Sequence, residues 1–169
     1  MSAEQLILVG APASGKTSVG RLVAERLGVP FTDTDELTEQ RLGLSLPEAA
    51  ASLPGEEVQE VEREVCRQAL AVPGIVALGS RAVEDPALCA ELKLRTVLWL
   101  RVSSTQLTRR LGMASLGMDT LSLLRQQVDA LLREREPWYE EVATLRLDTD
   151  RLDLTATADR VEQAWEGVR

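Results

Sequence analysis

Gly10, Gly15, Lys16 and Thr17 stand at the spacing G-x-x-x-x-G-K-T within the run Gly10-Ala11-Pro12-Ala13-Ser14-Gly15-Lys16-Thr17. These residue types at this spacing hold phosphate. The glycines let the backbone turn so that the N–H groups of Ala13, Ser14, Gly15, Lys16, Thr17 and Ser18 can point at an anion, and the start of the following helix adds partial positive charge. The lysine side chain is placed to reach β- and γ-phosphates, and the threonine hydroxyl is offered to magnesium. The flanks agree: the apolar run Leu6-Ile7-Leu8-Val9 precedes the loop, and a helical pattern from Ser18 to Leu27 follows it. Strand, loop and helix in that order are the context a Walker A loop requires.

Two further stretches carry candidate chemistry. In Thr32-Asp33-Thr34-Asp35, side-chain alternation in an extended segment puts both carboxylates on one side. Asp33 can hold magnesium through water or accept a hydroxyl proton, and Asp35 can bind substrate hydroxyls. Aspartate also favours turns and helix caps, so a purely structural role stays open for both. The third stretch is Gly79-Ser80-Arg81, where Arg81 is either a cation facing the site or a solvated arginine before a helix. The chain has no histidine, so any acid–base chemistry falls to carboxylates, lysine or water.

The elements that position these groups alternate between strand-length apolar runs and helical patterns, which argues for βαβ units and a parallel sheet. Strands are expected at residues 6–9, 29–33, 75–78, 96–100 and 145–148. Helices are expected to follow the phosphate loop, to span about 35–41, 47–53, 56–71, 86–92, 103–111 and 121–136, the last stopped by Pro137, and to close the chain at about 157–167. Residues 112–120 hold two glycines and no periodicity, which suits a lid over a nucleotide. In open parallel sheets ligands bind at the carboxyl ends of the strands, so the three stretches should converge there. Trp99 and Trp165 read as core residues, whereas Trp138, close to Arg135, fits either the core or a pocket wall.

A length of 169 residues with 44% hydrophobic content suits one compact domain over 1–169, with a lid at about 112–121 and substrate-side helices at about 35–71. The net charge of −8 argues against a nucleic-acid backbone as main partner. No long apolar run, signal peptide or lipidation motif is evident. A soluble, cytoplasmic monomer is expected, with Cys66 and Cys89 as reduced thiols rather than a disulfide.

Taken together, the run from Leu8 to Leu22, the run from Leu27 to Asp35, Ile75-Val76-Ala77-Leu78-Gly79, Arg110-Leu111, and Arg133-Glu134-Arg135-Glu136-Pro137-Trp138-Tyr139 resemble the shikimate kinases, small P-loop kinases. The resemblance covers nearly the whole chain. It implies a three-layer α/β fold with a five-stranded parallel sheet and a mobile lid, ATP and Mg²⁺ as cosubstrates, and transfer of a γ-phosphate to a hydroxyl of shikimate or a related small, anionic hydroxylated acid. It implies Lys16 and Thr17 on phosphates and metal, Asp33 as metal-linked residue or base, Asp35 on substrate hydroxyls, Arg110 over adenine, and Arg135 on the substrate carboxylate, with Gly79 beside it.

The chain departs from that pattern in its acceptor half. A Phe-Arg pair of the family falls on Val58 and Gln59, its three glycines on Gly79, Ser80 and Arg81, and its lid arginine has no counterpart, since no basic residue lies between Arg110 and Arg125. Arg81 is the candidate replacement for one missing cation. Two readings follow: an ATP-dependent kinase of shikimate or a relative, and an ATP-binding paralogue with an altered acceptor or little activity, serving a regulatory or interaction role.

Overall fold

A computed structural model describes residues 4–112 and 117–167. Five strands, β1 (Gln5–Val9), β2 (Phe31–Asp33), β3 (Gly74–Ala77), β4 (Val97–Arg101) and β5 (Leu145–Asp148), form one parallel sheet in the order β2-β3-β1-β4-β5. Apart from Gln5 at the start of β1 and Arg101 at the end of β4, the three inner strands are apolar, because helices cover both faces of the sheet.

Alternation along β1 divides the interior in two. Ile7 and Val9 join Val76, Leu78, Val97, Trp99 and Tyr139 on one face. Leu6 and Leu8 join Ile75, Leu98, Leu100 and Trp165 on the other. Helices α1 (Lys16–Leu27) and α8 (Leu154–Glu166) cover the second face; α4 (Gly55–Ala69), α5 (Pro86–Leu92) and α7 (Met118–Val142) cover the first. Of the remaining helices, α2 (Thr34–Leu42) and α3 (Leu46–Ser52) lie against α4, and α6 (Ser104–Arg110) packs on α7 through Leu107 and Leu132. The three-layer α/β arrangement is the one anticipated.

Several boundaries differ from expectation for local reasons. Helix α8 starts at Leu154 because the Asp153 carboxylate caps it by accepting from Ala156 N at 2.8 Å. Helix α7 does not stop at Pro137 but runs through it to Val142. The proline costs the helix about 3 kcal/mol or more. Burying Tyr139 and Val142, both in the first core, returns about 1.5–3 kcal/mol each and holds the final turn in place. Trp138, half-buried, packs against the same core and lines neither of the two cavities described below. The lid expected over about 112–121 includes residues 113–116, which lie outside the described residues; from Met118 onward the chain is already helical. Cys66 and Cys89 are free thiols. Among the described residues no helix is long and apolar enough to cross a membrane.

Candidate active site

The chain leaves β1 at Gly10, whose φ of +153° suits glycine and where a Cβ would stand 2.6 Å from the Leu100 carbonyl oxygen. The loop then wraps the Lys16 side chain. Its Nζ donates to the Gly10 carbonyl at 2.9 Å and to the Ala11 carbonyl at 3.0 Å. Loss of hydration on burial pulls the lysine down to about 8, against the opposing pull of Asp35 and Asp33, while Arg135 adds to the lowering. Ala13 adopts φ +58°, in a left-handed position where a side chain is strained.

Thr17 Oγ1 donates to Asp33 Oδ2 at 2.6 Å, and Asp33 Oδ1 accepts from the backbone N–H groups of Asp35 (2.9 Å) and Glu36 (3.3 Å). The segment is therefore not extended through Asp35, which corrects the alternation argument. The strand ends at Asp33, which caps α2, because a carboxylate there satisfies two N–H groups that the helix leaves open. Both aspartates nevertheless border one cavity of about 670 Å³, together with Ala13, Ser14, Gly15, Lys16, Thr17, Ser18 and Arg110. Arg110, the last residue of α6, donates to the Ser14 carbonyl at 3.2 Å and the Thr149 carbonyl at 3.0 Å, tying the loop to the end of β5.

Asp35 also borders a second cavity, of about 590 Å³, with Gln59, Glu62, Gly79, Arg81 and Glu84 on its wall. Burial raises the Asp35 carboxyl, and Lys16 offsets part of the rise. The backbone beside it is fixed, since Gly79 N donates to Thr34 Oγ1 at 2.8 Å and a Cβ on Gly79 would collide with the Asp35 carboxylate. Arg135 reaches this region from α7, donating from Nη1 to Ser80 Oγ at 3.1 Å and pairing through Nη2 with Glu84 at 2.8 Å. The Tyr139 hydroxyl donates to the Ser80 carbonyl at 2.7 Å. Arg81 approaches Glu84 at 3.5 Å and Glu62 at 3.9 Å. Burial also raises Glu62, with Arg81 opposing.

The structure thus brings together the loop, Asp33, Asp35, Gly79, Arg110 and Arg135, and sets Arg81 on the second cavity. Sequence reasoning missed Thr34, Glu62 and Glu84. For Glu84 a signal existed: it stands three residues after Arg81, a spacing that brings side chains together over one turn of helix.

A parallel sheet in 2-3-1-4-5 order, with a Walker A loop at the carboxyl end of its central strand and a carboxylate shared between two adjoining cavities, defines a P-loop kinase of small molecules. The family model described as shikimate kinase matches residues 12–166. The chain belongs to the shikimate kinase family. It is 39% identical over 155 residues to the shikimate kinase of Mycobacterium avium (strain 104), covering 88% of this chain and 86% of that relative. It is 40% identical over 144 residues to that of Thermobifida fusca (strain YX), covering 85% and 84%. Among solved structures, shikimate kinase from Acinetobacter baumannii in complex with shikimate superposes with a TM-score of 0.84 at 25% identity, over 98% of this chain and 94% of that one. Likeness to kinases over most of the chain supports an ATP-dependent small-molecule kinase over a regulatory or interaction paralogue.

Proposed function

We propose that the protein transfers the γ-phosphoryl group of ATP to a hydroxyl of shikimate. The observation that carries this reading is the position of Asp35, which borders both the cavity of the phosphate loop and the neighbouring cavity. An acceptor hydroxyl resting on Asp35 lies between the two. The acceptor oxygen forms a bond to the γ-phosphorus as the bond from that phosphorus to the bridging oxygen of ADP breaks, and Asp35 takes the hydroxyl proton. Its burial-raised carboxyl suits that task. Both Asp33 oxygens already accept hydrogen bonds, which favours a metal-linked role for Asp33 over proton transfer.

Magnesium fits the residues present, because the Thr17 hydroxyl keeps its lone pairs while donating to Asp33, and Mg²⁺ commonly takes one or two protein oxygens plus phosphates. Bound there, it would neutralise charge on the β- and γ-phosphates. Lys16 and the N–H groups of residues 13–18 hold the same phosphates. Arg110 flanks the adenine, and Arg135 receives the carboxylate of the acceptor. The protein acts as a single-domain monomer in the cytoplasm, and its net charge of −8 suits small-molecule partners rather than nucleic acid.

A coupled ADP-release assay with shikimate, using Lys16→Ala as blank, tests the reading. Release that needs both shikimate and Lys16, at about 1–100 s⁻¹ as in ordinary kinases, is the expected result. A flat trace from protein that demonstrably binds ATP overturns it.

A further inference from the structure

On the wall of the second cavity Arg81 stands between two carboxylates, Glu84 and, at 3.9 Å, Glu62, and Glu84 also pairs with Arg135, which reaches it from α7. Glu84 places Oε1 2.8 Å from Arg135 Nη2 and Oε2 3.5 Å from Arg81 Nε, so one carboxylate spans both guanidinium groups. On Arg135 that contact is incomplete. Nε and Nη2 form the edge a carboxylate takes with both oxygens, yet Nε is buried without a hydrogen-bond partner. The orientation of the guanidinium does not depend on Glu84, because Ser80 Oγ holds Nη1. Glu84 itself ends a single 3-10 turn (Ala82–Glu84) and keeps a third of its side chain exposed, so it is free to rotate away. Two arginines of α4 also line this cavity: Arg63, committed to Asp85 and Glu60, and the exposed Arg67.

We propose that Glu84 is an internal stand-in for the carboxylate of the acceptor: it occupies Arg135 and Arg81 in the free protein, and an acidic acceptor binds by displacing it. Arg81 is then the second cation of the acceptor site, and Glu84 is the residue that sets how strongly an acceptor must be anionic. A neutral polyol has nothing with which to compete for the two guanidiniums and meets Glu84 still in place. An acid that takes the Nε and Nη2 edge with both oxygens also satisfies the donor that Glu84 leaves unpaired. The inference rests on the proposed transfer to shikimate for the identity of the acid.

Calorimetric titration of shikimate into the ADP-bound protein reads the displacement without requiring turnover. A partly exposed ion pair is worth on the order of twofold to fivefold in binding. Removing it as competitor, together with the repulsion it exerts on an incoming acid, should tighten shikimate in Glu84→Gln about threefold to tenfold. In turnover the same factor should enter the KM for shikimate rather than kcat. Arg81→Ala should weaken shikimate, and in the Arg81→Ala/Glu84→Gln double variant the gain should shrink because half of the vacated seat is gone. The carboxamide analogue of shikimate should bind no better to Glu84→Gln than to the unaltered protein. Unchanged or weaker shikimate binding in Glu84→Gln, with an unshifted thermal midpoint, overturns the proposal, as does an equal gain for the carboxamide. If Glu84→Gln tightens shikimate as expected but the unaltered protein releases no ADP, the phosphotransfer reading falls and this one stands.

Discussion

Gly79→Ala isolates the role of Asp35 without touching its carboxylate. Gly79 does not need left-handed backbone geometry, so the new methyl brings no strain of that kind. Its Cβ would instead press on the Asp35 carboxylate, lying 3.3 Å from Cγ and closer still to Oδ1. The backbone of Gly79 cannot yield easily, because its N–H donates to the buried Thr34 hydroxyl at 2.8 Å. The side chain of Asp35 must therefore swing by about 1 Å, and a misplacement of that size costs on the order of 10²-fold in rate when the displaced group acts on the reacting atoms. Steady-state ADP release should show kcat reduced by about 10², with the KM for ATP little moved, since Lys16 and the loop are untouched. Asp35→Asn should lose at least as much, about 10²–10⁴-fold as expected for a proton acceptor. The double variant should be no worse than Asp35→Asn alone, because both changes remove the same function. A Gly79→Ala protein with undiminished kcat would refute the placement of Asp35 at the reacting hydroxyl.

Three other outcomes follow from the loop. Burial holds Lys16 at about 8 instead of the ordinary 10.5, so below about pH 8 the lysine is charged in both folded and unfolded chains and the full cost of about 3 kcal/mol is present. Between about 8 and 10.5 the unfolded chain binds more protons, so stability recovers with rising pH; thermal scans of the unliganded protein should show wild type gaining on Lys16→Met across that window, and parallel curves would refute it. Ala13→Gly relieves the φ of +58°, worth about 1–2 kcal/mol against roughly 0.5–1 kcal/mol of added chain entropy, and should raise the melting temperature by up to a few degrees. Thr17→Ala strips Asp33 Oδ2 of its 2.6 Å partner, so it should cost about 1–3 kcal/mol in denaturant unfolding and move the Mg²⁺ midpoint of ADP release upward.

The strand, loop and helix that carry the proposed nucleotide half were legible because they are contiguous. A strand, a glycine-bearing turn and a helix start within one local stretch specify the direction of the backbone N–H groups, whatever the rest of the chain does. The inner strands were legible for a similar reason, since burial on both faces leaves an unbroken apolar run. Misreadings arose where tertiary burial or capping overrode a local rule. Pro137 should end a helix, but Tyr139 and Val142 anchor the next turn in the core. Asp33 and Asp35 read as alternating strand residues, but the first caps a helix that contains the second. Glu84 was invisible as a partner of Arg135 because 51 positions separate them and nothing in either neighbourhood marks the pairing.

That contrast bears on why one half of the site follows the family pattern and the other departs from it. In the proposed nucleotide half, phosphates would be held mainly by main-chain N–H groups and one lysine, so the demand falls on the backbone of the loop more than on its side chains. The proposed acceptor half draws on side chains of α2, α4, α7 and the turn after β3, and there a lost cation would have to be replaced by another that reaches the same point. Gln59 removes a charge from the α4 wall, and Arg81 brings one from the opposite segment. A guanidinium introduced beside Arg135 would raise the cost of leaving both unpaired, and Glu84 lies within 3.5 Å of each. Arg81 and Glu84 therefore make sense as a pair. Arg81→Gly alone should leave Glu84 bound to Arg135 and impair shikimate binding more than Arg81→Gly combined with Glu84→Thr. Binding that is worse in the combined variant would show that the two residues act independently.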